Sequence, residues 1–481
     1  MIIGSGPAGV AAAMSLISLG KSPVMIDAGL SKEDDYFRTD KRNVHANKTK
    51  FGSDLAYRHF KFGPHIFSSN SELSFSFSSG GLSEVWGATF LPFADNDIID
   101  WPINLEKLHE AYEFVASKIP VSTAFLKPLH NYKDFGSLGV LQLDSLFDRV
   151  KSIQLNSSTF ELGATRLAVR AIQSKLSPCQ LCGECLRGCP YGSIWSAKDE
   201  IPGLISEGLI LLTGKRVVKL RDDSGRIYAE TINKLGKREY FGYFDQVFVA
   251  AGNVETFRIL AASNFVDSSA ILDHSTTFYF PSISLLKSKS ANDKFGLSQL
   301  FLRLQSATGK SHSHFQMYAC TDALIDSITA RLKVLNLVPY SWLRRVFSRV
   351  IVTIGYRDGA FDSELRLSLT LSEDVKIEGK RKVSRVRQKI RIFGVLLRSW
   401  RIFASLGLFP LFGFLSIGRP GNGVHAGSWL FKSEQCNEIG SVGGHRSVYV
   451  IDSSSLPTIP NGPITMTVMA NAVRIVLGVF R

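Results

Sequence analysis

Apolar residues are concentrated in short runs along this chain, and three of the runs lead into turns that contain glycine or aspartate. The stretch 1–29 is predicted to form a strand, a glycine turn, a helix of small residues and a second strand. The stretch 246–263 is predicted to form a buried strand, a turn and a helix. A third apolar stretch, 448–480, closes the sequence. The pattern therefore predicts buried strands that lead into helices.

A basic amphipathic pattern occupies residues 376–401, which contain ten lysines and arginines. The apolar positions that recur there at steps of four and three are Val386, Ile390, Phe393, Leu397 and Trp400. This spacing predicts one face of a helix. The uncharged residues 402–417 follow, but they are too few for a membrane span. A second basic and apolar stretch lies at 330–352.

Two interpretations fit these basic stretches and the net charge of +14. In the first, the apolar stripe packs on the core and the charges are solvated. In the second, the stripe attaches the protein to a membrane surface. No recognised nucleic-acid-binding module accompanies the charge, which argues against nucleic acid as a partner.

The first turn has the spacing of a dinucleotide-binding loop. Gly4, Gly6 and Gly9 form G-x-G-x-x-G, in which the glycines allow a tight turn, close approach of a pyrophosphate and close packing of helix on strand. Asp27 ends the second strand, where an acid accepts hydrogen bonds from an adenosine ribose. Only three residues precede Gly4, so the first strand is unusually short, which indicates a truncated or misassigned start.

Composition and cysteine content limit the class of protein. A chain of 481 residues with 45% hydrophobic residues forms a large globular core, with two or three domains' worth of structure. Four of its six cysteines share the spacing C-x2-C-x2-C-x3-C-P: Cys179, Cys182, Cys185 and Cys189. This spacing is typical of iron–sulfur ligands, and a structural, thiol-rich loop is the alternative. Cysteine usage of this kind predicts a reducing, cytoplasmic location, with peripheral attachment to the membrane as an addition.

Three segments, together with the first glycine turn, resemble the glucose–methanol–choline family of flavin oxidoreductases. They are residues 77–93, which contain a Gly80-Gly81 pair and a Trp86-Gly87 pair, and the stretches 246–263 and 448–480. The resemblance covers the first hundred residues, about 179–275 and the last sixty, or roughly half of the chain.

The resemblance implies an FAD cofactor and a set of residues that hold it. The residues expected to bind the ADP half of FAD are Gly4, Gly6, Gly9 and Asp27. The strand that contains Val218 is expected to pass the adenine. The residues expected to lie along the pyrophosphate and the isoalloxazine are Gly80, Gly81, Ser83, Trp86 and Gly87. Backbone at Ala251 and Gly252 approaches the cofactor, and Asp452 lies beside the ribityl chain.

The resemblance also implies an α/β fold in which a Rossmann-type FAD-binding domain, with a three-layer ββα/βαβ sheet, is interleaved with an antiparallel-sheet substrate domain. The FAD-binding domain would comprise 1–100, 179–275 and 420–481. The substrate or cap domain would comprise 101–178 and 276–419.

Oxidation of an alcohol by hydride transfer to flavin N5 requires a base that takes the hydroxyl proton, and histidine suits this role near neutral pH. His425 lies in a glycine-rich loop, and the resemblance nominates it as the base, with Asn461 as the residue that hydrogen-bonds the substrate oxygen. His312 and His314 alternate on a predicted strand, where the favoured interpretation is that both face solvent and the alternative is that they line the substrate site.

These observations predict an FAD-dependent alcohol dehydrogenase or oxidase that acts on a small-molecule alcohol or glycan. The external electron acceptor would be oxygen, a quinone or a redox protein, and an iron–sulfur cluster at the cysteines would favour a dehydrogenase. Two alternatives are an iron–sulfur and flavin electron-transfer subunit, and a non-catalytic FAD-binding protein on a membrane surface.

Overall fold

Two β-sheets organise the part of the chain that the computed structural model describes. The described residues are 1–29, 38–39, 58–124, 138–152, 160–171, 174, 176–288, 294–305, 312–423 and 425–480. The strands are β1 Ile2–Ile3, β2 Val24–Ile26, β3 Arg38–Thr39, β4 Arg58–His59, β5 Ile66–Ser69, β6 Val121–Thr123, β7 Leu138–Val140, β8 Phe160–Ala164, β9 Ile210–Leu212, β10 Lys215–Asp223, β11 Arg226–Asn233, β12 Arg238–Phe244, β13 Val247–Val249, β14 Ser269–Ser284, β15 Leu300–Gln305, β16 His312–Ala319, β17 Val350–Asp358, β18 Ser363–Leu369, β19 Val375–Arg381, β20 Leu408–Pro410, β21 Ser416–Ile417, β22 Ala426–Gly427 and β23 Val448–Val450. The α-helices are α1 Pro7–Ser18, α2 Asp95–Ile98, α3 Leu105–Lys118, α4 Ile201–Ser206, α5 Asn253–Ala262, α6 Asp322–Arg331, α7 Tyr340–Phe347, α8 Arg385–Ser405, α9 Trp429–Lys432 and α10 Thr465–Phe480.

The first sheet is parallel and has the strand order β23-β13-β1-β2-β9. Its strands are short apolar runs because both faces of a parallel sheet are covered. Helices α1, α3 and α10 share the core on one face. The antiparallel sheet β10-β11-β12 and helix α5 share the core on the other. The carboxyl ends of β1, β13 and β23 therefore lie side by side at one edge of a three-layer unit.

The second sheet is largely antiparallel and has the order β5-β19-β18-β14-β17-β16-β15-β8. Strand β14 spans sixteen residues and also pairs with β20, β21 and β22. Helix α8 covers this sheet through an aromatic cluster in which Phe403 contacts Phe280 and Phe315. The predicted α/β class, with a Rossmann-type unit and an antiparallel sheet, is confirmed. The domain boundaries stay a prediction. Within the range 1–100, which was assigned to the FAD-binding domain, β5 pairs with β19 of the second sheet.

Helix α8 differs from its prediction in both its bounds and its orientation. Residues 375–381 form β19, because buried and exposed positions alternate there with the period of a strand. The helix begins at Arg385 and contacts the core through Ile392, Val395, Leu396 and Phe403. The five stripe residues named above are instead 42–66% exposed, so the interpretation in which that stripe packs on the core is wrong. Within the described ranges, no helix combines the length and apolar character needed to cross a membrane.

A buried charge cluster joins the antiparallel sheet to α5. The Glu255 carboxylate accepts hydrogen bonds from Arg216, at 2.7 and 3.1 Å, and from Arg258, at 3.0 and 3.2 Å. Burial alone would raise the pKa of Glu255, but the two guanidinium groups outweigh it and hold the pKa below its ordinary value. Arg258 also donates to the carbonyls of Val217 and Val218.

Replacing Glu255 by Ala is expected to lower the free energy of unfolding by about 3–5 kcal/mol, because two buried guanidinium groups lose their counter-charge. Urea denaturation monitored by circular dichroism measures this change. Glu364→Ala removes the partner of the partly exposed Arg366 and serves as the control, with an expected change of about 1 kcal/mol or less. Equal effects of the two substitutions would contradict a structural role for the buried cluster.

Candidate active site

The glycine turn after β1 leaves open space at one glycine and none at the other two. A Cβ on Gly4, whose φ is +99°, would lie 2.5 Å from the carbonyl oxygen of Ala250. A Cβ on Gly9 would lie 1.9 Å from the carbonyl oxygen of Gly4. A Cβ on Gly6, at the N-cap of α1, would meet nothing within 4 Å. Gly4 and Gly9 therefore serve packing, and Gly6 borders a space at the amino end of a helix, where backbone N–H groups attract anions.

The turn at Gly80 and Gly81 closes the opposite side of that space. The Gly80 N–H donates to the Ser5 hydroxyl at 3.1 Å, and a Cβ on Gly81 would lie 3.4 Å from the Gly6 Cα. Ser83 stabilises the turn, since its hydroxyl donates to the Gly80 carbonyl at 2.6 Å. The two glycine turns thus form one cradle.

Trp86 and Gly87 follow this turn and attach it to the rest of the molecule. The Trp86 indole N–H donates to the carbonyl of Trp195 at 2.9 Å. A Cβ on Gly87 would lie 3.7 Å from the Tyr318 hydroxyl of β16, in ordinary contact. The segment therefore runs from the glycine turns to the antiparallel sheet.

Asp27 holds the loops on either side of the cradle. One carboxylate oxygen accepts the Ser5 N–H at 2.7 Å and the other accepts the Gly29 N–H at 2.6 Å. Burial raises the pKa of Asp27, and these hydrogen bonds counteract the rise. Each oxygen keeps acceptor capacity for a ribose hydroxyl.

Val218 was predicted to lie beside the adenine. Its side chain is buried, and its carbonyl accepts a hydrogen bond from Arg258 at 2.9 Å. The role of Val218 beside an adenine stays a prediction.

Asp452 lies at the carboxyl ends of β13 and β23. Its carboxylate accepts the N–H of Gly252 and the N–H of Ser454, each at 2.9 Å, and the hydroxyl of Thr256 at 2.5 Å. Burial raises the pKa of Asp452, and the three donors lower it. Gly252 follows Ala251 with φ +78°, and a Cβ there would meet nothing within 4 Å. The backbone is thus open to a ligand at this edge.

The loop that carries His425 is fixed against the Asp452 segment. The Ser428 N–H donates to the Ser453 carbonyl at 2.8 Å, and the Asn253 amide donates to the Ala426 carbonyl at 2.7 Å. A Cβ on Gly427 would lie 2.2 Å from the Ser453 carbonyl oxygen, so glycine is required there. Gly427, two positions after His425, therefore packs tightly against Ser453 of the predicted cofactor segment, and this contact holds the His425 loop in place.

The His425 imidazole lies in an aromatic environment. Its ring centroid is 4.6 Å from that of Tyr356, and its Nδ1 atom is buried without a hydrogen-bond partner in the described part of the chain. Burial lowers the pKa of His425 to about 4. The imidazole is therefore neutral near pH 7 and has a lone pair available to accept a proton.

His314 is a neighbour of His425 for which the sequence favoured a solvent-facing position over a place in the site. It lies on β16 opposite Tyr356, is 2% exposed, and stacks on Phe301 with 5.7 Å between ring centroids. Its Nε2 atom is buried without a partner among the described residues. Burial, and then the proximity of His425, lower the pKa of His314 to about 3.

The expectation that His312 and His314 face solvent is therefore wrong. His314 is buried, and the Nδ1 atom of His312 lies at hydrogen-bond distance, 2.8 Å, from an Asp97 carboxylate oxygen. The alternation of the two histidines was a visible signal, but the burial of that face depends on packing against distant segments.

Asn461 lies where the sequence placed it, in the loop before α10. Its amide oxygen accepts the Ser275 hydroxyl at 3.2 Å, and its amide nitrogen donates to the His312 carbonyl at 2.7 Å. The Ser275 N–H in turn donates to the His425 carbonyl at 3.1 Å. The structure therefore brings the two predicted catalytic residues together through Ser275.

The four clustered cysteines line one small enclosed cavity of about 10 Å³, which has room for about one water molecule. All six cysteines of the chain, each within a described range, are free thiols. Burial raises the pKa of the Cys185 thiol to about 12 and also raises that of Cys179. Burial acts the same way on Cys189, but N–H groups at Tyr191, Ser193 and Ile194 outweigh it and lower the pKa.

Within the described ranges, no group of three or more His, Cys, Asp or Glu side chains is arranged to hold a metal ion. The predicted iron–sulfur cluster therefore gains no support from the structure.

No protein-family model and no curated protein sequence matches the chain. Among solved structures, the chain is similar to pyridoxine 4-oxidase from Mesorbium loti, with 13% sequence identity and a TM-score of 0.61. The match covers 99% of this chain and 98% of that chain. At this identity the likeness shows the fold, and the fold extends over the whole length of both chains.

Of the four clustered thiols, Cys189 is expected to be alkylated fastest, because a lowered pKa raises its thiolate fraction. Iodoacetamide labelling at about pH 8, followed by peptide mass spectrometry, should show Cys189 modified about tenfold or more faster than Cys185. Cys189→Ser serves as the control for peptide assignment. Protection of all four thiols together with stoichiometric iron would contradict the free-thiol state.

Proposed function

We propose that this chain is an FAD-dependent oxidoreductase of the glucose–methanol–choline type that oxidises a CH–OH group to a carbonyl, with His425 as the base. The observation that carries the proposal is the His425 imidazole, which is neutral and has a buried, unpartnered nitrogen. The loop of His425 is hydrogen-bonded to Ser453, which follows Asp452 in the sequence, and the Asp452 carboxylate accepts the N–H of Gly252.

The residues present fit an FAD molecule. The open position at Gly6, faced by Gly81, suits a pyrophosphate at the amino end of α1, a helix with no acid in its first turn. The open position at Gly252 suits an approach of cofactor to backbone at the carboxyl ends of parallel strands. Bound FAD supplies a hydride acceptor at N5.

His425 takes the hydroxyl proton of the substrate as the carbon–hydrogen bond breaks. A neutral imidazole is the competent form, and burial keeps His425 in that form. Tyr356, 4.6 Å away between ring centroids, limits rotation of the ring. The second proton-accepting nitrogen in the site belongs to His314, whose Nε2 can hydrogen-bond a polar group of the substrate.

Asn461 positions the substrate oxygen and the base together. Its amide oxygen and one amide hydrogen bond the protein, which leaves the second amide hydrogen for the substrate. Because Ser275 bonds both Asn461 and the His425 backbone, a displacement of one residue displaces the other.

The substrate class is proposed as a small-molecule alcohol or glycan, and the aromatic surroundings of the site favour a planar or ring-containing alcohol. Pyridoxine is the first compound to test, since the similar structure is named as a pyridoxine 4-oxidase. Oxygen, a quinone and a redox protein are the proposed classes of electron acceptor. The electron-transfer and non-catalytic alternatives both predict that no alcohol reduces the flavin.

Gly6→Ala is expected to leave the fold intact and to weaken FAD binding by about tenfold or more, because its methyl group fills the space for the pyrophosphate. Gly9→Ala is the matched variant, and it is expected to destabilise the protein because its Cβ would collide with Gly4. Flavin absorbance after gel filtration, together with thermal unfolding, separates the two effects. A Gly6→Ala protein that is folded and fully loaded with FAD would contradict the proposed cofactor site.

His425→Ala is expected to slow anaerobic flavin bleaching by substrate about 100-fold or more while FAD stays bound, because the base is lost. Stopped-flow absorbance measures the rate with any alcohol that reduces the wild-type protein. His445→Ala, at a partly exposed histidine paired with Asp222, is the control and should bleach at the wild-type rate.

The wild-type bleaching rate should be level from about pH 8 to about pH 6 and fall as the pH approaches the lowered pKa of about 4, where His425 becomes protonated. An unchanged rate in His425→Ala would show that another group is the base. A protein that binds FAD but is bleached by no alcohol in a broad panel would contradict the proposed oxidation and favour the electron-transfer and non-catalytic alternatives.

A further inference from the structure

Helix α8 carries a second apolar face that does not contact the core. Val386, Ile390, Phe393, Leu397 and Trp400 are 42–66% exposed. At about 100° per residue, these five positions fall within an arc of roughly 80° on the helix. The side chains that face the core lie on the other side of the helix. An exposed stripe of this length is unusual for a surface that faces water alone.

Basic residues border the stripe and acids are absent from the helix. The residues of α8 include Arg385, Arg387, Lys389, Arg398 and Arg401, and the sequence from 385 to 405 contains no Asp or Glu. Arg391 of α8 is ion-paired with Asp362 at 2.8 Å. The apolar stripe and the basic residues beside it together form an amphipathic surface with a net positive charge.

A second exposed apolar patch surrounds α7. Trp342 is 65% exposed and lines a surface groove of about 510 Å³ together with Ile283, Val346, Arg345 and Arg349. Tryptophan beside arginine is typical of surfaces that lie at the level of lipid headgroups.

The two patches belong to one continuous surface. Ile283 of β14 lies opposite Phe409 of β20, and both side chains are exposed. Strand β20 follows directly after α8, and the segment after it returns to the stripe, where Phe412 contacts Phe393 with 5.4 Å between ring centroids. The α7 groove, β20 and the stripe of α8 are therefore linked through named contacts.

We propose that this surface, formed by α7, β20 and the exposed stripe of α8, docks the protein onto an anionic phospholipid bilayer. Apolar side chains enter the headgroup and acyl boundary, and the arginines and lysines contact lipid phosphates. A second copy of the chain is a poor occupant, because two such faces would bring their positive borders together. The inference does not depend on the reaction proposed above.

Co-sedimentation of the holoenzyme with large unilamellar vesicles tests this proposal. Vesicles of phosphatidylcholine with about 30% phosphatidylglycerol should bind the protein, vesicles of phosphatidylcholine alone should bind it weakly, and about 0.5 M NaCl should reduce binding. Ile390→Ser/Leu397→Ser removes two stripe residues and should weaken binding about tenfold or more. Arg398→Glu/Arg401→Glu should remove the preference for anionic vesicles.

Leu235→Ser/Leu371→Ser is the matched control, because both leucines are highly exposed and lie in turns between strands away from this surface. This control should bind as the wild type does. Flavin content and circular dichroism of each variant separate loss of binding from misfolding. Wild-type protein that binds neither kind of vesicle would overturn the proposal, as would a stripe variant that is folded and binds normally. A concentration-dependent dimer that the stripe variant abolishes, without vesicle binding, would assign the surface to a second copy.

Discussion

The carboxylate of Asp452 joins two strand ends that are two hundred residues apart in the sequence. It accepts hydrogen bonds from the backbone after β13, from a threonine of α5 and from its own segment after β23. These contacts fix the edge at which Gly252 leaves open space, and Ser453 next to it fixes the loop of His425. Removal of this one carboxylate would leave three segments without a common acceptor, so the open edge at Gly252 and the position of the His425 loop depend on it together.

The glycine turn, the buried strands and the final helix could be predicted because local chemistry determines them. A glycine whose Cβ would collide with backbone, as at Gly4 and Gly9, tolerates little else in any packing of that turn. Asp452 and His425 were nominated through the order of motifs along the chain, and the structure places their segments in contact through Ser428 and Ser453. The same reasoning placed Asn461, and the bond through Ser275 gives that placement a physical basis.

For His314 and the stripe of α8, the interpretation favoured from the sequence was the wrong one of two. Periodicity predicts which residues share a face of a helix or strand. Whether that face contacts the core, the solvent or another surface depends on segments that are distant in the sequence. On β16 the polar alternation suggested solvent, yet the rings of Phe301 and Tyr356 on the adjacent strands, and His425, cover His314. On α8 the regular stripe suggested the core, yet a less regular set of residues contacts Phe280 and Phe315. The cysteine spacing was equally ambiguous, because the same local pattern occurs with and without metal.

The length of β14 relates the two surfaces of the molecule that carry chemistry. Ser275, which bonds the His425 loop, and Ile283, which lines the groove beside α7, are eight positions apart on one strand. At about 3.3 Å per residue they are separated by roughly 26 Å, nearly the thickness of the hydrocarbon core of a bilayer. Under the proposed docking and the proposed role of His425, a substrate taken from the membrane would have to leave the lipid completely, or be long enough to keep its tail in the bilayer while its hydroxyl reaches His425.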